Sequence, residues 1–258
     1  MTKAETVEMT IPTYQRGADN PYPPLSFGRR KNHYNPYPYC LQDDVDVGVG
    51  GLRFVPDQTY NAVRLSNDIL EAVVLPEMNG RLYSLRNCKT GRELFYRNNV
   101  VKPALVAIRG AWISGGIEFN APSLGHSAST VSPVFHCVEN NGDECAVTVG
   151  DIDRCTRQSW QTRMSLKRGR ASLDITTTIS NPNHYRERLY YWENAAVPAS
   201  DDLRFICNAP WTVGNTIHPW PLQDGIDKSL HSNNPLPVDH FSYRQDRDFF
   251  GAYYEKRR

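Results

Sequence analysis

The 258-residue sequence lacks a charge bias, because 29 Lys and Arg residues against 28 Asp and Glu residues leave a formal charge of +1. A chain without excess positive charge has no field that attracts nucleic acid or anionic lipid. No segment is apolar over the length that a membrane span or a signal peptide requires. We therefore expect a soluble cytoplasmic protein with an uncharged partner, and no contact with nucleic acid or membrane.

Cysteine is present, but in no pattern that a metal site or redox motif requires. The six cysteines are scattered, with no C-x-x-C pair and no histidine at zinc-ligand spacing. Buried free thiols are the expected outcome, with no metal ion and no cofactor. The absence of an N-x-S/T acceptor agrees with a cytoplasmic location, where thiols stay reduced.

A sustained helical period is also absent, and alternation of apolar and polar residues takes its place. The stretches SWQTRMSLKRG and RASLDITTTIS both alternate, and the turn between them predicts a hairpin. On its first strand the side chains expected to share one face are Trp160, Thr162, Met164 and Leu166. Many such segments joined by short polar turns predict an all-β sandwich of antiparallel sheets.

Residues 1–50 differ in composition from the rest of the chain, because prolines and tyrosines are frequent in this segment. Disordered linkers seldom carry so many aromatic residues, so this segment predicts an ordered, extended arm that packs on the domain. The glycines of DVGVGG predict a flexible joint where the arm ends. We expect an arm over residues 1–50 and one sandwich domain over residues 51–258.

The stretch RGAWISGGIEFNAPSLGH does not fit ordinary strand patterning. Its glycines let backbone and ligand approach each other, and Ile117 and Phe119 are expected to anchor it inward. Glu118 and Asn120 then share the opposite face. An acid and an amide two residues apart suit a polyhydroxylated ligand, because each bonds adjacent hydroxyl groups with fixed geometry.

The same stretch contains three further candidates for a sugar site. His126 follows a proline and a glycine, in a loop where an imidazole can carry a proton near neutral pH. Arg109 and Trp112 are candidate sugar contacts. A local ion pair between Glu118 and Arg109, with His126 as a plain surface residue, explains the same side chains without a ligand.

A second cluster is GDIDRCTRQSW, in which Asp151 and Asp153 lie on one face if the strand continues and Arg154 is adjacent. Paired carboxylates are what glycoside chemistry uses, one protonated and one ionised. They are also what a polar turn beside a hairpin contains. We include these three residues as candidate sugar contacts and leave the structural alternative open.

A third cluster is RLYYWENAAVP, in which Trp192 and Asn194 share one face while Tyr191 and Glu193 share the other. An aromatic plane packs on the C–H face of a pyranose, and an amide bonds its hydroxyl groups. A sheet core with a buried Tyr–Glu hydrogen bond explains the same residues. His218, in the Pro-rich loop HPWPLQDG, is a further candidate contact at the mouth of a cleft.

Several blocks carry a family resemblance, which runs in order from about residue 10 to residue 254: LPEMNGRLYSL, VKPALVAIRGAWISGGIEFN, GDIDR, YYWENAAVPASDDLRF and DFFGAY. They resemble an uncharacterised family whose members often carry this domain ahead of tetratricopeptide repeats. That family is similar to the galactose-mutarotase-like superfamily. The resemblance implies an antiparallel β-supersandwich that binds a sugar on its concave face, as aldose 1-epimerases, lyases and glycoside hydrolases do.

Two departures from the family pattern bear on activity. Similar proteins tend to carry paired histidines in the loop after the glutamate block, whereas APSLGHSAST supplies only His126. The sequence also stops at DFFGAYYEKRR, where similar proteins continue through further strands, including one that bears a late glutamate. The resemblance therefore implies a supersandwich that is incomplete at its C-terminus.

Three functional hypotheses follow from these residues. The first is a carbohydrate-binding domain with possible activity at the anomeric centre, in which Glu118 and His126 handle the proton. The second is an active glycoside hydrolase or aldose epimerase that uses Asp151 or Asp153 in place of the late glutamate. The third is a non-enzymatic module whose aromatic faces receive a protein partner.

Overall fold

The structure is a computed structural model that describes residues 1–14, 54–102, 104–107, 110–122, 127, 129–153, 156–213, 216–236, 241–243 and 249–256. It divides into two compact units, Met1–Ala196 and Val197–Arg258. In the described residues, the regular elements are antiparallel strands and two single-turn 3-10 helices. The predicted all-β fold with antiparallel sheets is confirmed. Within the same ranges, no helix has the length and apolar character that crossing a membrane demands.

The first unit contains two main sheets and one small hairpin. The six-stranded sheet has the order β1-β2-β3-β4-β7-β12, the four-stranded sheet has the order β11-β10-β9-β8, and β5 pairs with β6. The elements are β1 (Lys3–Tyr14), β2 (Phe54–Ser66), β3 (Leu70–Leu75), a 3-10 helix (Pro76–Met78), β4 (Arg81–Asn87), β5 (Ala104–Ala107), β6 (Gly110–Trp112), β7 (Ile117–Asn120), β8 (Phe135–Asn140), β9 (Glu144–Ile152), β10 (Ser159–Lys167), β11 (Leu173–Ser180) and β12 (Trp192–Ala195).

An inner core joins the two main sheets. From the six-stranded sheet it includes Val63, Leu65, Leu70, Ala72, Val74, Leu82, Ile117 and Phe119, and from the four-stranded sheet Cys145, Val147, Val149, Trp160, Met164 and Leu166. Removing this much apolar surface from water is the main favourable contribution to folding the sandwich. Alternation along each strand delivers these side chains to one face.

The predicted hairpin is confirmed as β10 and β11. Trp160 lies opposite Ile179 and Met164 lies opposite Ile175 across the ladder. The four side chains predicted to share one face of β10 are all buried: Trp160, Thr162, Met164 and Leu166.

A second apolar cluster covers the opposite side of the six-stranded sheet, which we call the outer face. This outer cluster contains Ile11, Tyr60, Ala62, Val73, Leu75, Tyr83, Val101, Ile113 and Val131. Adjacent residues divide between the two sides, since Leu82 belongs to the inner core and Tyr83 to the outer cluster. The six-stranded sheet is therefore covered on both faces over part of its area, and its outer face is where the candidate site lies.

The first residues of the proposed N-terminal arm belong to the six-stranded sheet. β1 pairs along its length with β2, and the register shifts between Ile11 and Thr13, on either side of Pro12. A proline cannot donate to the ladder, so it is tolerated at such an irregularity on an edge strand. The rest of the arm, residues 15–50, and the joint that follows it lie outside the described residues.

One asparagine joins the ends of two hairpins. The Nδ2 of Asn67 donates to the carbonyl oxygens of Lys167 at 2.7 Å and Arg170 at 2.9 Å. Its Oδ1 accepts from the backbone N–H groups of Ile69 and Leu70. All four hydrogen-bonding positions of this buried amide are used, so the β2–β3 turn is held against the end of the β10–β11 hairpin.

The second unit consists of short strands in three small sheets. β13 pairs with β19, β14 lies between β15 and β18, and β16 pairs with β17. The elements are β13 (Leu203–Cys207), β14 (Trp211–Val213), β15 (Ile217–Pro219), β16 (Leu222–Gln223), β17 (Ile226–Asp227), a 3-10 helix (His231–Asn233), β18 (Phe241–Tyr243) and β19 (Phe250–Tyr254).

A close backbone contact fixes the start of β7. Gly116 has φ +65°, and a Cβ built on it would lie 1.9 Å from the carbonyl oxygen of Leu82 in β4. Its N–H donates to the carbonyl of Tyr96 and its carbonyl accepts from Ala196. Only glycine combines this left-handed backbone with so short an approach.

We predict that G116A lowers the free energy of unfolding much more than G91A. Both glycines have a positive φ, but a Cβ on Gly91 meets nothing within 4 Å. Each variant bears the left-handed backbone penalty, and G116A adds a steric clash of about 2 kcal/mol or more. Urea unfolding followed by circular dichroism measures the difference, and equal losses for both variants would contradict the close contact.

Candidate functional site

The pairing of β7 with β12 brings two of the predicted clusters together. Asn194 lies opposite Glu118, and Trp192 lies opposite Asn120. Residues directly opposite each other on antiparallel strands project from the same side of the sheet. The four side chains therefore share one face.

That face is the outer face of the six-stranded sheet. Ile117 and Phe119 alternate with Glu118 and Asn120 along β7, and both belong to the inner core. The orientation predicted for β7 is thus the one observed. Glu118 and Asn120 are themselves fully buried, whereas Trp192 and Asn194 are half-buried.

A buried ion pair lies at the centre of the outer face. Nη2 of Arg81, in β4, is 3.6 Å from Oε1 of Glu118, and their side chains are 2% and 0% exposed. Nη1 of Arg81 donates to the carbonyl of Gly115 at 2.6 Å. The hydroxyl of Thr130 donates to the Glu118 carboxylate. Burial lowers the pKa of the Arg81 guanidinium, and the Glu118 charge opposes that shift.

A chain of amides and hydroxyls extends from this ion pair. Asn79 donates from Nδ2 to the carbonyl of Phe119 at 2.8 Å and accepts at Oδ1 from the hydroxyl of Ser129. The hydroxyls of Ser129 and Ser127 are 3.1 Å apart. The backbone N–H of Ser127 donates to Oδ1 of Asn120 at 2.7 Å. The segment after β7 is thereby tied back over the outer face.

This buried cluster retains hydrogen-bond donors without acceptors. Among the residues that the structure describes, Nε and Nη2 of Arg81 and Nδ2 of Asn120 have no hydrogen-bond partner. An unmade hydrogen bond at a buried donor costs about 1–3 kcal/mol, so a hydroxylated ligand or water that accepts from these groups is favoured. The cluster is therefore a polar site with unused donor capacity.

The other aromatic residue of the third cluster has a structural role. The hydroxyl of Tyr191 donates to the Glu193 carboxylate and is 2.8 Å from the hydroxyl of Thr177 in β11. Its ring packs against the inner core. Burial, followed by the Glu193 hydrogen bond, raises the pKa of the Tyr191 phenol above its ordinary value. A Tyr–Glu hydrogen bond is thus present on the face of β12 away from Glu118, but Glu193 is exposed and the bond is not buried.

The structure does not bring Asp151 and Asp153 to this site. Asp151 is the penultimate residue of β9 and lies opposite Trp160, on the side of the four-stranded sheet that faces the inner core. Asp153 accepts at Oδ1 from the N–H and hydroxyl of Thr156, at 2.7 and 3.0 Å. Glu118 projects from the outer face of the six-stranded sheet, whereas Asp151 projects from the inner side of the four-stranded sheet, so these two carboxylates do not share a face.

Several predicted residues are not placed by the structure. Arg109, His126 and Arg154 lie outside the described residues, and so does the side chain of Trp112, although its backbone belongs to β6. His218 belongs to β15 in the second unit, where its Nε2 is 2.6 Å from the Thr216 hydroxyl. In the described part of the chain, no three His, Cys, Asp or Glu side chains are grouped to hold a metal ion.

The sequence interpretation missed five polar residues of this cluster. They are Asn79, Arg81, Ser127, Ser129 and Thr130. The block LPEMNGRLYSL contains the first two, and an arginine that begins an apolar strand is a signal that a buried charge needs a partner. The three hydroxyl residues carried no local signal, because short polar residues after a strand are typical of any loop.

Comparison with known proteins identifies the chain by family and by fold. The family described as Domain of unknown function (DUF5107) matches residues 34–258. A TPR-domain containing protein from Parabacteroides distasonis ATCC 8503 has a similar structure, with a TM-score of 0.80 and 23% identity over 98% of this chain and 42% of that chain. The present chain thus has that protein's fold and spans under half of its length. Galactose 1-epimerase from Lactobacillus acidophilus NCFM is similar with a TM-score of 0.40 and 13% identity, over 65% of this chain and 56% of that chain.

We predict that E118Q lowers the free energy of unfolding by about 3 kcal/mol, because Arg81 is left buried without a counter-charge. The matched control is E71Q, which removes the carboxylate 2.9 Å from Arg86 at the surface and should cost less than about 1 kcal/mol. Chemical unfolding of both variants measures these losses. A loss for E118Q no larger than for E71Q would show that the ion pair does not hold this site together.

Proposed function

We propose that this chain, which belongs to the DUF5107 family, binds a carbohydrate on the outer face of its six-stranded sheet. The observation that carries the proposal is the set of unused buried donors on Arg81 and Asn120, next to a half-buried indole and amide on β12. A sugar ring offers what each group lacks. Its hydroxyl oxygens accept hydrogen bonds, and its C–H face packs on an aromatic plane.

Trp192 and Asn194 are the groups that a sugar would meet first, because they are the half-buried members of the face. The indole would stack on the ring, and the amide would donate to and accept from neighbouring hydroxyls. Stacking would contribute affinity that depends little on the orientation of the sugar hydroxyls, whereas the amide would discriminate among those orientations. An aromatic side chain beside a few polar groups is the usual composition of a small-molecule binding site.

Arg81 and Glu118 would form the floor of this site. Their mutual attraction, together with the Gly115 carbonyl and the Thr130 hydroxyl, holds both side chains in place before a ligand arrives. Groups fixed in advance lose little conformational entropy on binding. The unused N–H positions of the guanidinium are buried, so the segment that carries Thr130 would have to move before a ring hydroxyl or ring oxygen reached them.

Processing of the sugar at its anomeric centre is a further part of the proposal. Such chemistry needs an acid and a base on opposite sides of one carbon. Glu118 would be one partner and His126 the other. Full burial of Glu118 beneath the segment that carries Thr130 means that this segment would have to move for a substrate to reach the carboxylate.

Two alternatives are less well supported. A hydrolase that pairs Glu118 with Asp151 or Asp153 would need both carboxylates beside one bond, but Asp151 projects from the inner side of the four-stranded sheet and Asp153 accepts hydrogen bonds from Thr156. A protein-interaction module would use exposed aromatic and apolar side chains such as Tyr185, Leu189 and Tyr190.

A cytoplasmic location remains part of the proposal, because the exposed thiols of Cys88 and Cys137 are free.

We predict that purified protein binds at least one sugar in a glycan survey, and that W192A and N194A each raise its Kd about tenfold through loss of stacking and of hydroxyl contacts. W211A is the control, because Trp211 is 47% exposed and belongs to β14 in the other unit. Isothermal titration of the four proteins gives the Kd values. No binding to any glycan, or equal effects of W192A and W211A, would reject this site.

We predict for the catalytic part that E118Q abolishes anomer exchange or glycoside cleavage by the wild-type protein. The assay is run at a temperature where circular dichroism shows E118Q to be folded, and exchange is followed by proton NMR. Turnover that is unchanged in folded E118Q would remove Glu118 from the reaction while leaving the binding proposal intact.

A further inference from the structure

The second unit contains a partly open cavity of about 530 Å³ that takes no part in the proposed carbohydrate site. Small-molecule sites commonly have volumes of about 300–1,000 Å³. Strands β13, β14, β18 and β19 each contribute to its lining, and the segment 228–236 completes it. The cavity therefore has walls from both of the larger sheets of this unit.

One wall of the cavity is aromatic. The rings of Phe205 and Phe250 stack with centroids 6.3 Å apart and planes at 25°. The indole of Trp220 lines the same cavity. Phe250 is 67% exposed, which is unusual for a phenylalanine in a paired strand. A flat apolar ring that packed here would remove this surface from water.

The polar part of the lining has a fixed acceptor. Nδ2 of Asn234 donates to the carbonyls of Lys228 and Leu230, at 3.0 and 2.9 Å, and these two bonds set the orientation of the amide. Oδ1 of Asn234 is buried and has no partner among the described residues, and the same is true of Nδ1 of His231. Both residues line the cavity. Two buried polar atoms therefore lack the hydrogen bonds that a bound molecule would supply.

Of the described residues that line the cavity, Lys228 is the one Lys, Arg, Asp or Glu. Lys228 donates from Nζ to the carbonyl of Asn233 at 3.1 Å, and no carboxylate is among the described residues that line the cavity. Its ammonium has three N–H donors, so the Asn233 bond leaves two for a ligand. A charge-assisted hydrogen bond to an anion is stronger than one to a neutral group.

We propose that this cavity binds a small aromatic anion, with its ring against Phe205, Phe250 and Trp220 and its carboxylate or sulfonate on Lys228. A hydroxyl or N–H group on the ring donates to Oδ1 of Asn234. The assignment rests on the stacked aromatic pair, on the Lys228 ammonium with no carboxylate in the described lining, and on the Asn234 oxygen with no partner among the described residues. It does not depend on the outer face of the first unit.

The test uses two dyes with the same rings. 8-Anilinonaphthalene-1-sulfonate carries the anion, and N-phenyl-1-naphthylamine lacks it. We expect the sulfonate to bind the purified chain at one site, with enhanced fluorescence and energy transfer from tryptophan. K228M should raise the Kd of the sulfonate about tenfold and leave the Kd of the neutral dye within about twofold. F250S should weaken both dyes by about fivefold or more.

The control variant is F241S, because Phe241 is 62% exposed in β18 and does not line the cavity. It should change neither Kd, and circular dichroism checks that all three variants fold. An unchanged sulfonate Kd in K228M would overturn the anion assignment. Several weak sites per chain, or equal effects of F241S and F250S, would overturn the cavity as the binding site.

Discussion

Strand β7 lies between β4 and β12 because the backbone of Gly116 comes into contact with the carbonyl of Leu82. Every element of the candidate site depends on this approach. It sets the register of β7, which sends Phe119 into the inner core and Glu118 to the outer face. It also leaves the Gly115 carbonyl where the Arg81 guanidinium reaches it. A side chain at position 116 would push β7 away from β4, and the ion pair would lose its geometry before any ligand was involved.

The site that results has two layers with different tasks. A deep layer, Arg81 with Glu118, is buried, and its charge pairing and its hydrogen bonds with the Gly115 carbonyl and the Thr130 hydroxyl oppose the cost of desolvation. A shallow layer, Trp192 with Asn194, is half-buried. In the proposed carbohydrate site, such a division would allow the shallow layer to vary with the ligand while the deep layer keeps the strands in place. The described lining of the cavity in the second unit combines the Phe205–Phe250 pair with one ammonium group.

The local parts of this arrangement were predictable from the sequence, and the long-range parts were not. Alternation identified the β10–β11 hairpin and the opposite orientations of Phe119 and Glu118, because both follow from the two-residue period of a strand. The family blocks predicted the all-β fold. The proximity of Trp192 to Asn120 could not be derived from the sequence, because it depends on the pairing of β12 with β7 and the sequence does not show which strands pair. The burial of Glu118 was missed, because it depends on a segment around Thr130 that folds back over the sheet. Strand β1 was not predicted, because Pro12 was interpreted as part of an extended arm. A proline in an edge strand with a register shift gives the same sequence pattern as such an arm.

The amide of Asn67 has a consequence for how the chain is made. Its four partners lie in two turns that are far apart in sequence, beside Leu70 and beside Arg170. During synthesis on the ribosome, the strands around Asn67 emerge well before β10. Their apolar side is therefore exposed to solvent until the β10–β11 hairpin has been synthesised. Long-range closure of this kind makes folding slow and leaves nascent chains prone to association. Cells that produce this protein would therefore be expected to shield the unfinished first sheet with a chaperone.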